Sequence, residues 1–197
     1  MISVYHRFSP GETIPVEQYL KNRKIKKYFN GETSAAVLCM GELMEKNPVN
    51  PHTTPVYYAT GILEYEDYGL AGIVSNSIDG TGHYSPLLFI SRGLSNVSPL
   101  NQFKILHNMP LSFISIAFGF TSDNSSLYSS AIGLLVSAKT AATEERIIIG
   151  SGKGYRDGSI ECGFALVSKD EVDSLPVEDP QEEAVLMFRR IAEKATA

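Results

Sequence analysis

The chain has 197 residues, 43% hydrophobic and 20% charged, with a formal net charge of −5. That length is enough to bury a core, and the composition is that of a globular protein. The acidic balance excludes a general nucleic-acid binder, which needs a basic face, and no apolar run reaches the roughly 18 residues of a membrane span.

Met1 to Pro10 lacks the apolar segment of a secretory signal, so a cytoplasmic home is expected. Cys39 and Cys162 are the only cysteines. Neither has metal-like spacing to a Cys or His, so reduced thiols and no zinc are expected. Ile14 to Lys27 begins with Pro15 nearby and carries a basic run: Lys21, Arg23, Lys24, Lys26 and Lys27. Thr33 to Glu45 has apolar residues at helical spacing. Asn47 to Pro55, with three prolines, reads as a loop, and Val56 to Ile62 as a strand.

Glu64 to Gly82 is polar, with a middle that could be helical, and Ser85 to Phe89 starts a further element. Ser98-Pro99 has the pattern of a helix start, running to about His107. Pro110 to Phe118 reads as a second helix closed by Gly119. A short strand follows at Ser125 to Ser129, then a small-residue helix from Ala131 to Ala142 that should be nearly buried. Arg146 to Gly150 is an apolar strand of the kind covered on both faces, and Phe164 to Ser168 is another. Gly150-Ser-Gly-Lys-Gly154 lacks the phosphate-loop pattern and reads as a turn. Asp179 caps a last helix with Pro180 at its first position. The simplest organisation is one domain over residues 1–175 with a helical extension over 176–197.

The order of these segments carries a resemblance. Ser98-Pro99, Asn108-Met109 and Ser115-Ile116 to Gly119 resemble the stretch before the nucleophile in the β-ketoacyl synthase family. Ser122-Asp123-Asn124 stands where that family has a turn. Tyr19-Leu20, Val56 to Gly61, Ile147 to Gly150 and Glu161 to Val167 are similar to further family segments. The likeness spans about residues 14 to 170 and only the first of the family's two halves. It implies a thiolase-like α/β fold: a mixed five-stranded sheet with helices on both faces.

Two departures, the coverage of only the first half and the residue at the nucleophile position, shape the functional expectation. The family nucleophile is a cysteine at a strand-to-helix junction, where the helix terminus lowers its pKa and backbone N–H groups bind an oxyanion. Here that position falls on Ser130 or Ala131, depending on the direction of counting. A serine needs a base, and none of His6, His52, His83 and His107 stands in a family base position. Ser130 therefore reads first as a small residue at a helix start, and His107 as a satisfied packing residue.

The resemblance thus implies a non-catalytic accessory protein, similar to a chain-length factor, of a fatty-acid, polyketide or aryl-polyene type pathway. It would pair with a ketosynthase subunit or with itself, and need no cofactor or metal. His107, Asn108, Met109, Ser130 and Ala131 are acyl-pocket candidates. Lys21, Arg23, Lys24, Lys26 and Lys27 are candidates for contacting an acyl carrier protein. Two alternatives stay open: a serine-dependent acyl hydrolase or acyltransferase using Ser130, and a structural carrier-binding module.

Overall fold

The computed structural model describes residues 1–61, 70–96, 100, 103–104 and 106–196. The elements are β1 (Ile2–Phe8), α1 (Gly31–Lys46), β2 (Val56–Thr60), α2 (Leu70–Asn76), α3 (Met109–Phe118), β3 (Asn124–Tyr128), α4 (Ala131–Ala141), β4 (Arg146–Gly154), β5 (Ile160–Ser168), α5 (Lys169–Val172) and α6 (Ala184–Thr196). The chain divides into two compact units: Met1–Glu64 with His107–Ala197, and Tyr65–Leu106.

The first unit is built on a five-stranded sheet in the order β1-β5-β4-β2-β3. β4, β2 and β3 run parallel, and β5 is antiparallel to both of its neighbours. This is the mixed five-stranded sheet that the family resemblance implies. Side chains of a strand alternate between faces, so two apolar layers can share one sheet. Val56, Tyr58, Ile148, Cys162, Phe164 and Leu166 belong to the core that α1 and α3 cover. Tyr57, Ala59, Ile147, Ile149, Ala165 and Val167 belong to the core on the other face, under α4 and α6. Burial on both faces is why the central strands are almost uninterrupted apolar runs.

Close approach explains the glycines inside β4 and β5. A Cβ on Gly150 would lie 2.2 Å from the Phe164 ring, and one on Gly163 would lie 2.5 Å from Phe188 Cβ of α6. The second contact seats α6 directly on β5. Glu161 of β5 is 0% exposed, and Arg189 of α6 grips both its oxygens, with Nη2 at 2.6 and 2.7 Å. Arg7 Nε stands 3.5 Å from the same carboxylate. A buried carboxylate without such partners would be strongly destabilising.

In the second unit, α2 is followed by an Ile78–Tyr84 bridge and a turn in which Asp79 Oδ1 accepts from the Thr81 and His83 amides. Ser85 then caps a helical turn at Pro86–Leu88, which continues as a π-turn over Phe89–Gly93.

Several expectations are corrected. Ile2–Phe8 forms an edge strand that periodicity did not single out. Gly150 to Gly154 is no turn but the second half of β4, in which Gly150 and Gly152 give room to side chains of neighbouring elements. The last helix begins at Ala184, not Pro180, because the chain first turns at Asp179 and then bridges Glu183 to Ser130, with the Glu182 carbonyl taking the Ala131 amide. α4 is half-buried rather than nearly buried: the sheet and α6 cover Ala131, Leu134, Leu135 and Ala138, while Ile132 and Val136 face outward. The expected helix start at Ser98-Pro99 lies outside the described residues. Leu100, Phe103 and Lys104 are helical as expected, whereas Leu106 and His107, expected at that helix's end, are not.

One buried acid makes stability depend on pH. Asn30 caps α1 through the Thr33 amide, and Glu32 in the first turn is 4% exposed. Its Oε1 accepts a 2.9 Å bond from the Tyr58 hydroxyl. Burial pushes its pKa up from 4.5 to about 7, against the opposing effect of the Tyr58 bond. The folded state thus holds a proton that the unfolded state releases near pH 4.5. Stability attached to this group is full below pH 4.5 and is lost as pH rises towards 7. Glu32→Gln should therefore stabilise the protein at pH 8 by up to about 3 kcal/mol, with little effect at pH 4. Urea midpoints at the two pH values check this.

Candidate functional site

The junction between β3 and α4 is built by three consecutive serine and alanine positions. Ser130 is the N-cap of α4 (φ −70°, ψ 174°), and its Oγ accepts from the Gly133 amide at 3.3 Å. This satisfies one of the orphan N–H groups of the first turn. Ala131 is fully buried, and its N–H donates to the Glu182 carbonyl at 2.8 Å. A Cβ on Gly133 would lie 2.8 Å from Ser129 Cβ, so the glycine lets Ser129 tuck against the first turn. Ser129 Oγ is buried there with no hydrogen-bond partner among the described residues.

A cleft of about 260 Å³ opens at the junction, lined by Thr60, Gly61, Tyr128, Ser129, Ser130, Gln181 and Glu183. Lys153 at the end of β4 bonds Glu183 at 2.6 Å and lies 5.0 Å from the centre of the Tyr155 ring.

His107 is held beside this cleft by its backbone. Its carbonyl accepts from Thr60 Oγ1 (3.1 Å) and Ser126 Oγ (3.2 Å). Its ring centroid lies 5.1 Å from that of Tyr128. Its ring packs as expected, but Nδ1 is buried without a hydrogen-bond partner among the described residues. No imidazole or carboxylate bonds the Ser130 hydroxyl among the described residues. Asn108 is exposed and caps nothing with its side chain, while Met109 packs against the α1–α3 core. Ser130 and Ala131 thus sit together, His107 reaches them through the rim residue Tyr128, and Met109 serves the other face of the sheet.

Neither thiol is at the junction. Cys39 and Cys162 are free and wholly buried in the α1-side core, and Cys39 Sγ lies 3.5 Å from the Cys162 carbonyl. Burial first, then the neighbouring Cys39, pushes the Cys162 thiol well above its usual range. A thiol of that kind is a poor nucleophile at neutral pH.

The basic run forms a 3-10 turn over Arg23–Tyr28, with Asn22 as its cap. Lys21, Arg23, Lys24 and Lys27 are exposed, whereas Lys26 pairs with Glu17. Sequence reasoning missed Gln181, Glu182, Glu183 and Lys153, because a bridge between residues some fifty positions apart leaves no local pattern. Among the described residues no His, Cys, Asp and Glu cluster could hold a metal, and no helix is long and apolar enough to cross a membrane.

The cap geometry predicts a structural effect at Ser130. Ser130→Ala should lower stability by about 1 kcal/mol, and Ser130→Asn should restore most of it. Denaturant midpoints at unchanged slope are the readout.

No family model matches the chain, and no curated protein matches it. Solved structures do match. One is described as a type II PKS acyl-carrier protein in complex with its ketosynthase bound to the hexaketide (AntDE:AntF). It matches with a TM-score of 0.55 and 10% identity, over 83% of this chain and 53% of the other. Another is the ketosynthase ApeO in complex with its chain length factor ApeC from Xenorhabdus doucetiae. Its TM-score is 0.48, with 11% identity, over 84% of this chain and 77% of the other. The chain therefore spans about half the length of the first of these. Together with the sheet order, that first match fixes the fold as the thiolase-like α/β arrangement of ketosynthases.

Proposed function

We propose that this chain is a non-catalytic, β-ketoacyl-synthase-like accessory protein of a fatty-acid, polyketide or aryl-polyene type pathway. The observation that carries this reading is the junction itself. Where a condensing enzyme needs a thiolate, this chain has a serine engaged as a helix cap, next to a buried alanine whose amide is already bonded. Claisen chemistry through an enzyme-bound thioester has no sulfur to use there, because both cysteines are closed into the opposite core.

Pairing is favoured by one sheet edge. Among the described residues no backbone hydrogen bond reaches the outer side of β3. Exposed edges are usually blunted by charges or proline. The opposite edge strand, β1, carries His6 and Arg7, whereas β3 reads Asn-Ser-Ser-Leu-Tyr with no charge at all. Its last residue, Tyr128, is 63% exposed, and the outer face of α4 exposes Val136 (58%) and Ile132 (39%). A neutral edge and an exposed apolar helix face each suit a ketosynthase subunit or a second copy of this chain. Lys21, Arg23, Lys24 and Lys27 offer an exposed cationic surface for an acidic acyl carrier protein.

Light scattering of the chain alone, and mixed with a ketosynthase, tests the reading. A dimer or a one-to-one complex is expected, weakened at least about tenfold by Val136→Lys, since a charge in an apolar interface is left unpaired. A monomer under both conditions contradicts it. Hydrolysis of a p-nitrophenyl ester, abolished by Ser130→Ala, would instead support the serine hydrolase alternative.

A further inference from the structure

The segment leading into α6 does more than connect two elements. Asp179 folds it into a turn: its Oδ1 accepts from the Gln181 amide (2.8 Å) and its carbonyl from the Glu182 amide (3.0 Å). Arg190 of α6 holds the near side, with Nε donating to the Pro176 carbonyl at 2.9 Å and its Nη2 bonded to Glu182. The far side reaches the junction. The Glu182 carbonyl takes the Ala131 amide, Glu183 makes an isolated antiparallel bridge with Ser130, and Glu183 Oε2 meets Lys153 Nζ. Gly61 is shaped for this arrangement, since a Cβ there would lie 3.2 Å from Glu183 Oε1 and 3.4 Å from Lys153 Cδ.

We infer that Asp179–Glu183 is a strap, latched over the start of α4 by the Lys153–Glu183 pair, and that it can open while α6 stays docked. Two sets of contacts are separable in space and in chemistry. α6 is seated by Phe188 against Gly163 and by Arg189 on Glu161, and neither contact involves the strap. Among the described residues the strap meets β4 and the β3–α4 junction through the Lys153–Glu183 ion pair and the Ser130–Glu183 bridge, to which the Ala131 amide bond belongs. Segments held by few contacts open at lower free energy than the elements they adjoin. Closed, the strap spends the Ala131 amide on its own carbonyl. Open, it releases that first-turn donor into the cleft, where a carbonyl or carboxylate oxygen could accept it. The strap acts the same whichever partner the chain takes.

Amide hydrogen exchange on the full chain, residue by residue, tests this in Glu183→Gln and Lys153→Met. Both substitutions remove the ion pair and leave the residues that seat α6 untouched. The Ala131 amide should exchange at least about tenfold faster in each variant, while the amides of Met187 to Ile191 and of Ile147 to Ile149 keep their original rates. An unchanged Ala131 rate would show that the pair does not latch the strap. Acceleration of Ala131 and α6 together would show one structural unit, and would overturn the inference equally.

Discussion

A carboxylate that cannot reach water sets the arrangement of this molecule. Glu161 lies at the start of β5, fully buried, and its two oxygens demand cationic hydrogen-bond donors. Arg189 supplies them from α6, with Arg7 of β1 at longer range. Meeting that demand pins the C-terminal helix across the sheet, where Phe188 fills the space left by Gly163. The segment before the helix is thereby delivered to the strand-to-helix junction, and the Glu182 carbonyl finds the Ala131 amide. One buried charge on an inner strand thus decides the state of a helix terminus contributed by another part of the chain.

The consequence for chemistry is local. A helix N-terminus at the end of a parallel strand is a place where amides and a partial positive charge can support a nucleophile or an oxyanion. In this chain two of its donors are committed internally: Gly133 N–H to Ser130 Oγ, and Ala131 N–H to Glu182 O. The buried and unpartnered Ser129 Oγ and His107 Nδ1 remain as polar atoms near the cleft. They share no hydrogen bond with each other, and so make no nucleophile–base pair.

Legibility of the sequence followed the range of the interaction that shapes each element. α1 and α3 were readable because helical spacing and local signals, such as the Gly119 stop at φ +81°, are written in neighbouring residues. The triple isoleucine of β4 was readable because both its faces are covered. The glycine-rich half of β4 misled, because its glycines answer to Phe164, Tyr58 and Glu32 rather than to a turn. The start of α6 misled for a related reason: Asp179-Pro180 has the local signature of a helix cap, but the chain there makes only a turn and then bridges Glu183 to Ser130 before the helix begins at Ala184. At the site, Ser130 and Ala131 were visible through the family resemblance, whereas the strap and Lys153 arise from tertiary contacts alone.

A non-catalytic chain of the kind proposed carries no acyl group at the β3–α4 junction. Intact-mass measurement after incubation with an acyl thioester donor or with cerulenin, followed by peptide mapping, addresses this directly. The unmodified mass is predicted, with Ser129, Ser130 and both cysteines unlabelled. A stoichiometric acyl adduct mapped to Ser129 or Ser130 would contradict the account and make the junction a catalytic one.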